Sequence, residues 1–185
     1  MCIRNYIDQD NLEIRNALDA FGHKERISTD EVSSASIVSV LTAQREPQVM
    51  QWGSNCLGIK DRVFYVQSET VMDSSMFQDS IRERRCLVPV SWYLELKNID
   101  PETEKRPPTR LPEQRIFYIA GIYQEEKDES FLTFSILTRE VSLAISGVDG
   151  SRMPVILHKV LKPLWLHGSN PQKLFEFAEQ RVPPE

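Results

Sequence analysis

Short runs of β-branched and aromatic residues, punctuated by turn-forming residues, dominate the hydrophobic pattern of this chain. In 33–43, Ile37, Ser39 and Leu41 alternate with Val38 and Val40, which predicts a buried strand; Pro47 then breaks the chain before a second strand in "QVMQWGS". "RVFYVQS" (62–68), "CLVPVSWYLELK" (86–97), "QRIFYIAGIYQ" (114–124) and "FLTFSILT" (131–138) read as further strands, and the turn "EEKDES" (125–130) makes the last two a hairpin. Another turn, "SGVDGS" (146–151), leads into "RMPVILHKVL". Helical periodicity is rarer. Ile14, Ala17, Leu18 and Phe21 share one face before Gly22; Asp73 is placed as the N-cap of a helix facing inward through Phe77, Ile81 and Arg84; Leu174, Phe175 and Ala178 predict a terminal helix ahead of a frayed "RVPPE" end. The charged, proline-rich segment 98–112 reads as an exposed loop within one sheet. Strands outnumber helices and no βαβ rhythm appears, so the expected class is α+β with a mainly antiparallel sheet.

With 185 residues, a single domain spanning 1–185 is expected, large enough to bury a core without disulfides or metals. No apolar run approaches the roughly 18 residues of a membrane helix, and the N-terminus carries Arg4, Asp8 and Asp10 in place of a signal peptide's apolar stretch. A cytoplasmic protein that neither enters nor crosses a membrane is expected. The three cysteines, Cys2, Cys56 and Cys86, have no CxxC spacing and only His23, His158 and His167 for company, which indicates neither a disulfide framework nor a metal site. The net charge of −5 means that any nucleic-acid contact must be local.

Cys2 directly follows the initiator methionine. A cysteine is ordinarily a small buried hydrophobe, but removal of Met1 ahead of so small a residue leaves a chain beginning with both a thiol and a free α-amine. Their ordinary pKa values lie near about 8.5 and about 8, so both are available near neutrality. A 1,2-aminothiol condenses with an aldehyde to an imine, which the thiol closes to a thiazolidine. Proton transfer needs a partner, and Glu95 is the best placed: strand alternation puts Tyr93, Glu95 and Lys97 on one face, among apolar neighbours that raise a carboxyl's pKa. Pairing with Lys97 or exposure to water explains Glu95 equally well on pattern alone. Trp52 stacks on a base or fills the core; Arg4 and Arg152 meet phosphates or solvent; the hydroxyls of "SET" (Ser68, Glu69, Thr70) bind phosphate or form a turn; "RERR" (82–85) complements a helix C-terminus; Cys56 and Cys86 are structural.

Taken in order, "MC.R", "WG" (52–53), "SETV" (68–71), "RCLVPVSWYLE" (85–95), "AGIY" (120–123), "FSILT" (134–138) and "RMPVIL" (152–157) resemble the SRAP family, the SOS-response-associated peptidases, over about residues 2–166. The remainder, 167–185, is the C-terminal helix and tail. The resemblance implies a barrel-like antiparallel sheet flanked by a few short helices, a channel for single-stranded DNA, and capture of the ring-opened aldehyde of an abasic site by the N-terminal cysteine. It assigns Cys2 as nucleophile and Glu95 as the acid, and puts Arg4, Trp52, Arg152 and the Ser68, Glu69, Thr70 turn at DNA. It implies autoprocessing at Met1, no metal or cofactor, a monomer, and a cytoplasmic protein that joins the nucleoid when bound to DNA.

Three positions depart from the family pattern. Members usually carry "NAR" before "SET", where this chain has Tyr65, Val66 and Gln67; a histidine two residues before "RMP" is replaced by Gly150, with Asp149 beside it; Ile3 stands for a glycine. These departures leave room for a member that binds DNA or another partner without crosslinking. A Cys2-dependent peptidase is a further alternative, short of its usual histidine base.

Overall fold

The computed structural model describes residues 5–6, 31–32, 36–44, 47–56, 60–90, 92–93, 117–126, 132–140 and 152–179. The expected helix at 14–21 and the loop at 98–112 lie outside them. In chain order the elements are β1 (Asn5–Tyr6), β2 (Glu31–Val32), β3 (Ile37–Val40), β4 (Gln48–Trp52), β5 (Tyr65–Gln67), α1 (Gln78–Glu83), β6 (Arg85–Val90), β7 (Trp92–Tyr93), β8 (Phe117–Gln124), β9 (Leu132–Glu140), β10 (Arg152–Pro154), β11 (Ile156–Leu157), α2 (Lys162–His167) and α3 (Pro171–Glu179).

Eight of the strands form one sheet centred on β8 and β9, which pair as the expected antiparallel hairpin with Gln124 opposite Thr133. β9 is lined on one edge by β4 and then β5, both parallel to it, and on the other by β8 and then β10, both antiparallel. The sheet is therefore mixed. Nor is it a closed barrel. The path runs β11-β8-β9-β4-β3 with β6 on β8, and its far ends meet only at an isolated bridge where Leu41 and Leu87 exchange reciprocal bonds of 2.9 and 2.8 Å. β3, only four residues long, offers too little ladder to close against the six of β6.

β8 and β9 diverge beyond Gly121 and Ile136, and the segment from Arg152 to Leu157 fills the wedge. Its first half pairs with β9 and its second with β8. Val155 is the crossover: its N–H donates to Leu137 O and its carbonyl accepts from Ala120 N–H, each at 2.9 Å.

Period-two alternation explains the two-sided core. Cys86, Val88, Phe117, Ile119, Phe134 and Ile136 point to one face with Val38, Val40, Met50 and Trp52. Leu87, Tyr118, Ala120, Ile122 and Leu137 point to the other, where Ile81, Trp165, Leu174 and Phe175 cover them from the three helices. Burial on both faces makes Cys86 to Val90 of β6 a continuous apolar run rather than an alternating one.

The helix expected from Asp73 begins later. Residues 68–77 form successive turns, with Thr70 O accepting from Asp73 and Ser74 N–H and Ser74 O from Phe77 and Gln78 N–H, so the N-cap position falls to Phe77. These turns let Val71, Phe77 and Ile81 all reach the core. Arg85 gives the "RERR" run its structural purpose. Its guanidinium is buried, pairs with no carboxylate among the described residues, and donates to the carbonyls of Ile81 and Arg82 at the end of α1, and of Trp165 and Gly168 at the end of α2. Helix C-termini leave such carbonyls unpaired and partly negative, which is what a buried cation requires. Cys56 and Cys86 are free and buried, and burial pushes both thiols up.

Candidate functional site

The small sheet β2-β1-β7 holds the N-terminal strand. Asn5 stands opposite Tyr93 and Tyr6 opposite Trp92, antiparallel. In such a pair the chain preceding one strand and the chain following the other leave from the same end. Asn5 and Tyr93 are the described residues nearest in sequence to Cys2 and Glu95. Cys2, Arg4 and Glu95 themselves lie outside the described residues; the register of their neighbours is what the fold supplies.

A second cluster forms where β5, β9 and β10 end together. Arg152 opens β10 opposite Glu140, and Gln67 closes β5 opposite Thr138. Past Gln67 the 68–70 turn continues along the edge of β9: Ser68 N–H donates to Thr138 O at 2.8 Å, and the Glu69 carboxylate takes the Glu140 N–H at 2.7 Å. The other Glu69 oxygen receives Arg152 Nη2 at 2.6 Å. Glu69 thus straddles the end of β9.

Arg152 is held from two further directions, Nε donating to Thr138 Oγ1 at 3.1 Å and Nη2 to Thr138 O at 2.7 Å. The Thr138 hydroxyl donates in turn to Val66 O at 3.4 Å, so its lone pair is turned to Arg152. Burial alone would raise the Glu69 carboxyl, but the bonds from Arg152 and the Glu140 amide, with the arginine's charge, outweigh it and hold the carboxyl below its ordinary range. It is ionised at neutral pH.

The sequence candidates therefore divide. Glu69 and Arg152, far apart in the chain, are brought into direct contact. Ser68 is buried and serves the turn through its backbone; Thr70 is exposed, with its carbonyl closing the next turn. Trp52 takes the core alternative. It is 0 % exposed, its Nε1 donates to Phe64 O at 3.1 Å, and Phe64 and Tyr65 meet it edge-on, so no face of the ring is open to a base in this structure. Packing is the role this structure shows for it. Thr138 was missed as a site residue, although it ends the quoted "FSILT". Its value comes from a register between distant strands that no local pattern encodes. Among the described residues, no three His, Cys, Asp or Glu side chains gather as a metal site would require.

A mixed sheet with covering helices defines an α+β fold that solved structures share. A protein from Bacteroides thetaiotaomicron matches with a TM-score of 0.70 at 22 % identity, covering 95 % of this chain and 85 % of that one. A protein from Bordetella bronchiseptica matches at 0.69 and 17 % identity, covering 100 % and 94 %. At these identities the likeness speaks for the fold. The family model of the SOS response associated peptidases (SRAP) matches residues 1–183, and the chain belongs to that family. Among curated relatives, the abasic site processing protein YobE of Bacillus subtilis is 27 % identical over 112 residues, 59 % of this chain and 51 % of that protein. The abasic site processing protein YMR114C of Saccharomyces cerevisiae is 27 % identical over 119 residues, 60 % of this chain and 31 % of that protein. The chain spans about half the length of the bacterial relatives it matches.

Proposed function

We propose that this protein processes abasic sites in single-stranded DNA by forming a covalent thiazolidine through Cys2, after removal of Met1, in the DNA-damage response. The α-amine attacks the aldehyde carbon C1′ of the ring-opened sugar and water leaves, giving an imine. The Cys2 thiol then adds to the imine carbon as its proton passes to nitrogen. One water is lost overall and no oxidant is needed. Glu95 gives and takes the protons that open the sugar and release the hydroxyl, and Arg152 and Arg4 hold flanking phosphates. The protein acts as a cytoplasmic monomer, joining the nucleoid on DNA, without metal or cofactor.

The observation that supports this reading is the antiparallel register of Asn5 with Tyr93, the described residues nearest in sequence to Cys2 and Glu95. The names borne by the relatives agree with it. The test is intact mass after incubation with an oligonucleotide bearing one abasic site. A methionine-free chain should gain the oligonucleotide mass less one water, and Cys2→Ala, which keeps only the amine, should retain no stable adduct. Methionine-free protein that binds the oligonucleotide without an adduct would overturn crosslinking.

That outcome would support a second reading, a member that binds DNA without capture. Gln67 is the observation in its favour: it is exposed beside Thr138, and it supplies no cation where the family pattern has one. Peptidase activity beyond removal of the leading methionine ranks behind both.

A further inference from the structure

The geometry around Arg152 points to a role for Glu69 and Thr138 that does not involve touching DNA. We infer that they are positioning residues for Arg152, holding its guanidinium so that Nη1 alone is left to donate to one non-bridging oxygen of a DNA phosphodiester. The inference rests on the proposed reading of this site and adds to it the device that aims the contact.

A carboxylate at the "SET" turn is an unlikely thing to place against a phosphate, since like charges repel. Its observed contacts resolve the conflict, because Glu69 faces Arg152 and the end of β9 rather than open solvent alone. An exposed arginine–carboxylate pair is ordinarily worth little. This one is different in construction. The Arg152 side chain is only 16 % exposed, and three bonds from two of its nitrogens end on Glu69 and Thr138, the latter itself buried. Each acceptor is fixed from behind: Glu69 by the Glu140 amide, the Thr138 hydroxyl by Val66 O, and the Thr138 carbonyl by Ser68 N–H.

Nη1 has no partner among the described residues. A guanidinium is a planar fork whose donors point in fixed directions, so anchoring Nε and Nη2 also sets the direction of Nη1. A phosphate then meets a donor whose rotamer freedom has already been lost in folding, and less ordering is required on binding. Glu69 also cancels most of the arginine's charge, so Arg152 recognises by direction more than by attraction. This suits a chain whose net charge is −5.

The test is fluorescence anisotropy with an unmodified thymidine oligonucleotide, on full-length protein, with melting temperatures recorded for each variant. Arg152→Ala should weaken binding about 10-fold, the lower end of what loss of one hydrogen bond to a charged group costs. Glu69→Ala and Thr138→Val should each lose most of the same factor, and Glu69→Ala combined with Arg152→Ala should bind no worse than Arg152→Ala. Thr138→Ser should recover most of what Thr138→Val loses, and Glu69→Gln, which keeps an oxygen acceptor, should lose less than Glu69→Ala. A merely structural role would lower melting temperatures without this non-additivity. The inference is overturned by Glu69→Ala binding as tightly as wild type or more tightly, by additive losses in the double variant, or by an Arg152→Ala protein that binds normally. Failure of the underlying DNA reading looks different: wild-type protein then neither binds the thymidine oligonucleotide nor forms an adduct with the abasic one, and the clamp falls with it.

Discussion

Asn5 lies opposite Tyr93 in an antiparallel pair, so the described residues nearest in sequence to Cys2 and Glu95 face each other across two strands. Two groups that seem unrelated in the sequence become candidates for one reaction through this pairing.

The proposed chemistry separates the contributions of amine, thiol and carboxyl. Cys2→Ser keeps the amine and loses the thiol, so it should form an imine that borohydride traps but that otherwise hydrolyses; a stable adduct from Cys2→Ser would exclude ring closure by sulfur. Glu95→Gln should slow adduct formation by about 10²-fold or more, the usual contribution of a positioned acid or base. Single-turnover gel assays of both variants measure these effects.

The Glu69 tie to Arg152 gives a pH dependence with a definite sign. The folded-state carboxyl lies below its unfolded value of 4.5, so its stabilisation is fully present above that value and disappears as pH falls through the lower, folded-state one. Glu69→Gln removes this titration. The difference in melting temperature between wild type and Glu69→Gln should therefore be constant near neutrality and shrink on acidification, and a difference that grows towards low pH would contradict the tie.

Arg85 is the heaviest polar liability in the core if truncated. Arg85→Ala leaves the carbonyls of Ile81, Arg82, Trp165 and Gly168 without their shared donor and opens a cavity between two helix ends. A loss of about 3 kcal/mol or more in urea denaturation is expected. Arg85→Lys keeps the charge but cannot reach four acceptors in one plane, so it should recover only a minor part.

Trp52 distinguishes packing from base stacking. Trp52→Ala should cost about 3–5 kcal/mol of stability, as large-to-small changes at fully buried aromatics do. Trp52→Phe should fold and bind a thymidine oligonucleotide with near wild-type affinity. A stable Trp52→Phe protein that has lost binding would restore the stacking role.

Strands β4, β6, β8 and β9, and the hairpin joining the last two, follow from local pattern, their apolar and aromatic residues lying between turn-forming segments. α2 was not legible, because Pro163 and a six-residue length hide its period, even though it delivers the fully buried Trp165. The parallel pairing of β4 and β5 with β9 could not be read either, since register between distant strands depends on how the whole core fills. The site shows the same division. The motif "SETV" and the arginine of "RMPVIL" were visible as separate signals, whereas the bond from Glu69 to Arg152 exists only because β9 carries one on each side of its end. Trp52 is the converse case, a residue for which the sequence left stacking and packing open and which the alternation of β4 sends to the interior.

Val155 ties the strand that bears Arg152 to both halves of a splayed hairpin, bonding Leu137 on one side and Ala120 on the other. The arginine is thus mounted on a keystone rather than on a swinging arm. Its backbone is fixed by the hairpin on either side, so evolution can retune this end of the protein by exchanging side chains around Arg152 far more readily than by reshaping the backbone that carries it.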